Sequence, residues 1–166
     1  FTDVRVSSND ILGGEGKGFY NLMNELPRER LILGVSGVAA AEGMFDWTVE
    51  YTMERKAFGS SISSFQNTRF VLAEIKTNLE LNKALVEKYV AKFMEGSLTT
   101  AEASMCKLAA TEMQCKVADQ CLQLFGGYGY MKEYKISRAY VDSRVQRIYG
   151  GTSEIMKELI SRSIVG

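Results

Sequence analysis

A chain of 166 residues, 46% hydrophobic and 24% charged, is long enough to bury a core as one globular domain. Lys and Arg number 20 and so do Asp and Glu, so no bulk charge draws the chain to nucleic acid or to an anionic membrane surface. Histidine is absent, which removes zinc sites and histidine-dependent triads and leaves acid–base chemistry to carboxylates, Lys, Tyr or Cys.

No apolar run is long enough to span a bilayer, and no signal-peptide pattern is present. Cys106, Cys115 and Cys121 are odd in number, form no CxxC and sit in a helical pattern. They read as buried thiols of a reducing compartment.

In chain order, FTDVRV alternates apolar and polar residues with period two and predicts a strand. Nothing downstream reads as a ladder partner, so the strand is expected to be the end of an upstream β-domain. SSNDILGGEGKG follows as linker, and the boundary is set at residues 1–15 and 16–166. A first helical pattern runs from about Gly18 to Arg55, with a kink or restart expected at Pro27, the only proline. Gly34, Gly37 and Gly43 each cost a helix about 1 kcal/mol against Ala. Their presence points to close approach, either of another helix or of a ligand.

A second helix is predicted from near Ser64 to before Gly96. Leu72, Leu79, Val86 and Phe93 recur every seven residues, Ile75 and Tyr89 fill the complementary positions, and Asn82 is the polar member of this seam. A third opens at Thr99 or Thr100, turns Met105, Ala109, Met113, Val117, Cys121 and Leu124 inward, and stops at Gly126-Gly127. Shorter helices at Ser137–Arg144 and Thr152–Ile164 complete an all-α, antiparallel up-and-down four-helix bundle with a short C-terminal helix.

Three stretches carry more than packing. In ERKAFGSSISSFQ, Arg55 and Lys56 complement a helix C-terminus, but Phe58-Gly59 and Phe65-Gln66 are not explained that way. An aromatic, an arginine and an amide can hold a ring system and a phosphate. QLFGGYGYMKEY is rich in glycine between aromatics, as either a phosphate nest or a helix C-cap requires. In YGGTSEIM, Thr152 or Ser153 suits an N-cap and Glu154 suits the first turn. Gly150-Gly151 is thus a bare hinge beside a helix N-terminus, compatible with an ordinary loop or with a polar ligand.

In this order, ERKAFG…FQ, QLFGGYGY…EY.ISRAY.D.RV and IYGGTSEIM resemble the C-terminal domain of the acyl-CoA dehydrogenase family of flavoenzymes over essentially the whole chain. The resemblance implies an FAD-dependent oxidation of an acyl-CoA to its trans-2-enoyl-CoA. A carboxylate removes the α-proton, the β-hydrogen leaves as hydride to the flavin, and electrons pass on to an electron-transferring flavoprotein. It further implies a homodimer or homotetramer, with the helix-two seam and the FGGYGY loop covered. The compartment would be the cytoplasm of a bacterium or the mitochondrial matrix of a eukaryote.

Residue by residue, the resemblance gives Arg55 and Gln66 to the FAD of a neighbouring subunit. Gln123, Leu124, Phe125, Gly126 and Gly127 match the loop receiving its adenosine end, and Thr152, Ser153 and Glu154 match cofactor contacts at the helix start. Tyr20, Pro27, Arg28, Glu29 and Arg30 match the substrate-facing start of helix one, and Gly150-Gly151 lie over the thioester. Many members place the catalytic glutamate after the tyrosine, as YEGTS, where this chain has Gly150. Long-chain and isovaleryl-CoA dehydrogenases instead carry it on the first long helix before an arginine, and LPRERLILG puts Glu29 there as the expected base. A non-catalytic bundle for oligomerisation or partner docking, and an oxidase of the same family, are the alternative readings.

Overall fold

The structure, a computed structural model, describes residues 1–166. Five helices form it: α1 (Gly18–Glu54), α2 (Gln66–Met94), α3 (Thr100–Phe125), α4 (Lys135–Val145) and α5 (Ser153–Val165). Short connections make α1, α2 and α3 antiparallel neighbours, as expected for an all-α bundle. Thr99 opens α3 through a capping box: its hydroxyl accepts from the Glu102 amide, and the Glu102 carboxylate accepts from the Thr99 amide. Lys92 near the end of α2 pairs with the same carboxylate and so ties two helices at one point.

The core runs between α1, α2 and α3. On α1, Leu31, Val38, Ala41 and Met44 are buried at helical spacing. Ile75, Leu79, Val86 and Tyr89 of α2 face them, so the predicted seam is spent inside one chain and is not free to cover a second copy. Phe93, its last expected member, is 40% exposed, and Leu72, its first, is half-buried outside the core cluster. Asn82 donates to the Asn78 carbonyl at 2.9 Å, a bond within its own helix.

Two glycines of α1 answer to packing against α3. A Cβ on Gly34 would stand 2.5 Å from Cys106 Sγ, and one on Gly37 would stand 3.3 Å from the Ala110 carbonyl oxygen. The space they leave is therefore filled by α3 and is not room for an acyl group. Gly43 would meet only the Trp47 ring, at 3.8 Å.

FTDVRV pairs with no strand of the chain, in line with the expectation that no ladder partner lies downstream. Other expectations need correction. Pro27 neither ends nor restarts α1, which runs unbroken through it. One missing amide costs a 37-residue helix little when Arg30 and Leu31, a turn further on, are already buried in the bundle. A two-residue hairpin, β1 (Lys56–Ala57) with β2 (Ser60–Ser61), turns the chain between α1 and α2. Finally, the inward stripe of α3 runs through Cys106, Ala110 and Phe125 where Met105, Ala109 and Leu124 were expected; Met113, Val117 and Cys121 hold. Neighbouring helices pack α3 from several sides, so no single periodic face marks what it buries.

Candidate functional site

The expected site residues gather at two ends of α1. Arg30 and Arg55 are 25 residues apart on one rod, about 37 Å at 1.5 Å per residue.

At the far end, Arg55, Gln123, Leu124, Phe125, Gly126 and Gly127 line one groove of about 550 Å³, joined by Tyr51 and Tyr128. The Tyr51 ring stacks on Phe125 with centroids 4.0 Å apart, and its hydroxyl donates to the Phe125 carbonyl at 3.2 Å. Arg55 lies over the Tyr128 ring at 5.0 Å, so its guanidinium is placed by a cation–π contact and takes no carboxylate partner. Gly126 ends α3 with φ 59°, and no atom lies within 4 Å of where its Cβ or that of Gly127 would stand. Bare backbone, a stacked cation and aromatic walls thus face one open groove. Gln66 is not among its lining residues; it begins α2 on the exposed surface.

At the near end the hinge is held from the protein side. Arg30 is 6% exposed and donates from Nε to the Gly150 carbonyl at 3.3 Å. Lys107 of α3, wholly buried, donates from Nζ to the Gly151 carbonyl. Burial lowers the pKa of both cations, and the Arg30 charge lowers that of Lys107 further. Gly150 and Gly151 have φ of 65° and 105°, which glycine alone adopts freely. Leu33 Cδ1 stands 2.6 Å from where a Gly150 Cβ would be. The amides of Gly150, Gly151 and Thr152 donate to no group of the chain.

Below the hinge, Thr152 caps α5 by accepting from the Ile155 amide at 3.3 Å. Ser153 is buried and its hydroxyl donates to Glu112 at 2.6 Å, so the side chain faces inward. Arg147 grips the same carboxylate with two nitrogens, at 2.8 and 2.7 Å. Glu154 is exposed in the first turn, its pKa lowered by its own amide and the Thr152 hydroxyl.

The expected run Pro27 to Arg30 divides. Pro27 and Arg28 turn to a groove shared with Phe93 and Leu98. Arg30 turns to the hinge, and so does Leu33, which shares a helix face with Glu29 one turn away. Glu29 is exposed and enters no ion pair or hydrogen bond. Tyr20 is 62% exposed, ten residues before Arg30. Sequence reasoning missed Lys107 and Glu112. The one signal available was a lysine between Cys106 and Ala110 on an otherwise small and apolar face, a position that favours burial.

No group of three or more His, Cys, Asp or Glu converges on a possible metal site, and no helix is long and apolar enough to cross a membrane.

Residues 16–165 match the family described as acyl-CoA dehydrogenase, C-terminal domain. The chain is 51% identical over 165 residues to the long-chain specific acyl-CoA dehydrogenase, mitochondrial, of Rattus norvegicus, covering 99% of this chain and 38% of that protein. It is 41% identical to the acryloyl-CoA reductase (NADH) of Anaerotignum propionicum, over 99% of this chain and 42% of the relative. The crystal structure of the acyl-CoA dehydrogenase from Geobacillus kaustophilus superposes with a TM-score of 0.96 at 44% identity, covering 100% of this chain and 44% of that one. The chain therefore spans less than half the length of these relatives, and it belongs to the acyl-CoA dehydrogenase family as its C-terminal helical domain.

Proposed function

We propose that this chain is the helical domain of an FAD-dependent acyl-CoA dehydrogenase in which Glu29 is the base. Residues 1–15 then lead in from a β-domain of the longer protein. The observation that carries the reading is that Arg30 and Leu33, the neighbours of Glu29 in sequence and one turn on, both meet the hinge. Leu33, one turn from Glu29 on the same face, touches the Gly150 position, and the intervening Arg30 binds the Gly150 carbonyl. A carboxylate there has no partner to compete for its lone pairs. It reaches an α-carbon lying over Gly150-Gly151 from the α1 side, where other members reach it from the residue after the tyrosine.

Bound flavin supplies the acceptor for the β-hydride. The groove at the far end suits part of such a cofactor: Arg55 for a phosphate, the open Gly126-Gly127 backbone for close approach, Phe125 and Tyr128 for a ring. Glu29 takes the α-proton as general base. Hinge amides stabilise charge on the thioester oxygen. Electrons pass to an electron-transferring flavoprotein, and the compartment is the mitochondrial matrix if the source is eukaryotic.

In the full-length protein, Glu29→Gln keeps size and removes the acceptor. Flavin reduction by an acyl-CoA, followed in stopped flow, should slow by at least the ~10²–10⁴-fold of a lost general base, with acyl-CoA binding kept. A near-normal rate removes Glu29 from this role.

A further inference from the structure

The connector from α4 to α5 is closed at its base by one carboxylate. The Ser153 amide donates to the Arg147 carbonyl at 3.2 Å, so the segment from Arg147 to Ser153 is a loop with adjoining ends. Both ends turn their side chains to Glu112 of α3. Arg147 donates from Nε at 2.8 Å and pairs through a second nitrogen at 2.7 Å, and the Ser153 hydroxyl donates at 2.6 Å. Two carboxylate oxygens thus serve three donors from the two ends of one loop.

Stability alone does not account for this. Glu112 and Arg147 are each 37% exposed, and ion pairs so open to water add little to a fold. Capping α5 is not the purpose either, since Thr152 caps that helix with its own hydroxyl. What the three bonds add is geometry. A fork of two parallel bonds sets the direction of the guanidinium as well as its distance, and Ser153, 5% exposed, has no room to turn elsewhere. Between the two ends lie Gly150 and Gly151, both in the left-handed region, where the backbone resists motion least. Arg30 and Lys107 hold the carbonyls of this loop, and Glu112 holds its ends.

We infer that Glu112 is a positioning residue for the dehydrogenation proposed above: by stapling Arg147 and Ser153 to α3, it fixes the loop whose glycines seat the acyl thioester and whose last residues lead into the cofactor contacts at Thr152 and Glu154. The inference rests on that functional reading. One short loop then serves both ligands, so a shift at its base changes the distance between them. Transfer of the β-hydride depends on that distance far more steeply than the binding of either ligand does, a misplacement of about 1 Å costing up to ~10²-fold in rate.

Glu112→Gln keeps the shape of the side chain and leaves one oxygen for three donors. In the full-length enzyme, flavin reduction at saturating acyl-CoA, followed in stopped flow, should slow by about tenfold or more. The dissociation constant of acyl-CoA, the bound FAD and the melting temperature should change little, and Glu112→Asp, which keeps both oxygens, should fall between. In the same protein without acyl-CoA, the Ser153 amide should exchange its hydrogen faster in Glu112→Gln, as the loop base loosens. Arg147→Met and Ser153→Ala each cut one link. Each should slow reduction alone and add little in the Glu112→Gln background, because both act through one carboxylate. If Glu112→Gln fails to fold, Arg147→Met and Ser153→Ala carry the same rate and exchange measurements. An unchanged rate overturns the inference, and so do additive effects. A rate that falls only in step with melting temperature and bound FAD also overturns it, as the mark of a merely structural role. A wild-type flavin that no acyl-CoA reduces sinks the functional reading itself, and this inference with it.

Discussion

A single hydrogen decides the contact of α1 with α3. Gly34→Ala would set a methyl 2.5 Å from Cys106 Sγ, in a core where neither helix can retreat. Overpacking of this kind costs about 1–3 kcal/mol, so the urea midpoint should fall. Gly43→Ala meets only the edge of Trp47 at 3.8 Å and should gain up to about 1 kcal/mol of helix propensity. Equal effects of the two changes would show that the Gly34 contact is loose. Close packing at the hinge limits an obvious rescue in the same way. Restoring a glutamate after the tyrosine, as Glu29→Gln with Gly150→Glu, sets a side chain at φ 65° and against Leu33 Cδ1 at 2.6 Å. The αL strain alone is about 1–2 kcal/mol. Recovery of flavin reduction should therefore stay small until Leu33→Ala is added, and full recovery by the double variant alone would contradict the hinge geometry.

Among elements, the start of α3 titrates. Glu102 bonds Lys92, then the Thr99 amide and hydroxyl, and its pKa falls to about 2. A depressed carboxylate stabilises the fold above its unfolded pKa and loses that contribution as pH falls through the folded value. Wild type and Glu102→Gln should thus differ most in urea midpoint above the ordinary value of 4.5, and converge as pH approaches about 2. A difference that stays constant with pH would remove Glu102 from this role. Thr99→Ala should cost about 1 kcal/mol near neutral pH, as a lost N-cap does, and part of that cost should fade on acidification because the hydroxyl also bonds the Glu102 carboxylate.

The start of α3 was legible to within a residue, as Thr99 or Thr100, because a threonine precedes the apolar run; its capping box with Glu102 emerged only in the structure. Five helices, the α2 seam and the stop at Gly126 were legible too, since each rests on local spacing. The α3 stripe slipped because that helix is packed by α1, α2, α4 and α5 together, so neighbours on several sides bury residues that no single periodic face marks. Lys107, Ser104, Thr111 and Gln114 are buried there despite their polarity. The site was legible only as far as motifs carry residues by resemblance. The clamp on the hinge was not, because it joins positions 30, 107 and 150–151, which only the fold brings together.

At the scale of the whole molecule, the distance between the two ends of α1 bears on assembly. Arg55 and the Gly126-Gly127 groove lie about 37 Å along the rod from Arg30 and the hinge, further than one flavin dinucleotide spans. If both ends serve one cofactor site, they come from different subunits, and each subunit gives its near end to one site and its far end to another. The α2 seam is already spent inside the chain, whereas Tyr130 at 88% exposure and Met131 at 44%, beside the groove, are free to be covered. This arrangement predicts complementation. Glu29→Gln and Arg55→Ala should each be nearly inactive alone at limiting FAD. Mixed after dissociation and reassembly, they should recover about a quarter of the wild-type rate, since half the dimers are mixed and one of two sites in each is intact. A site built within one protomer leaves every mixed site with a defect, and the mixture then shows no more activity than its parents.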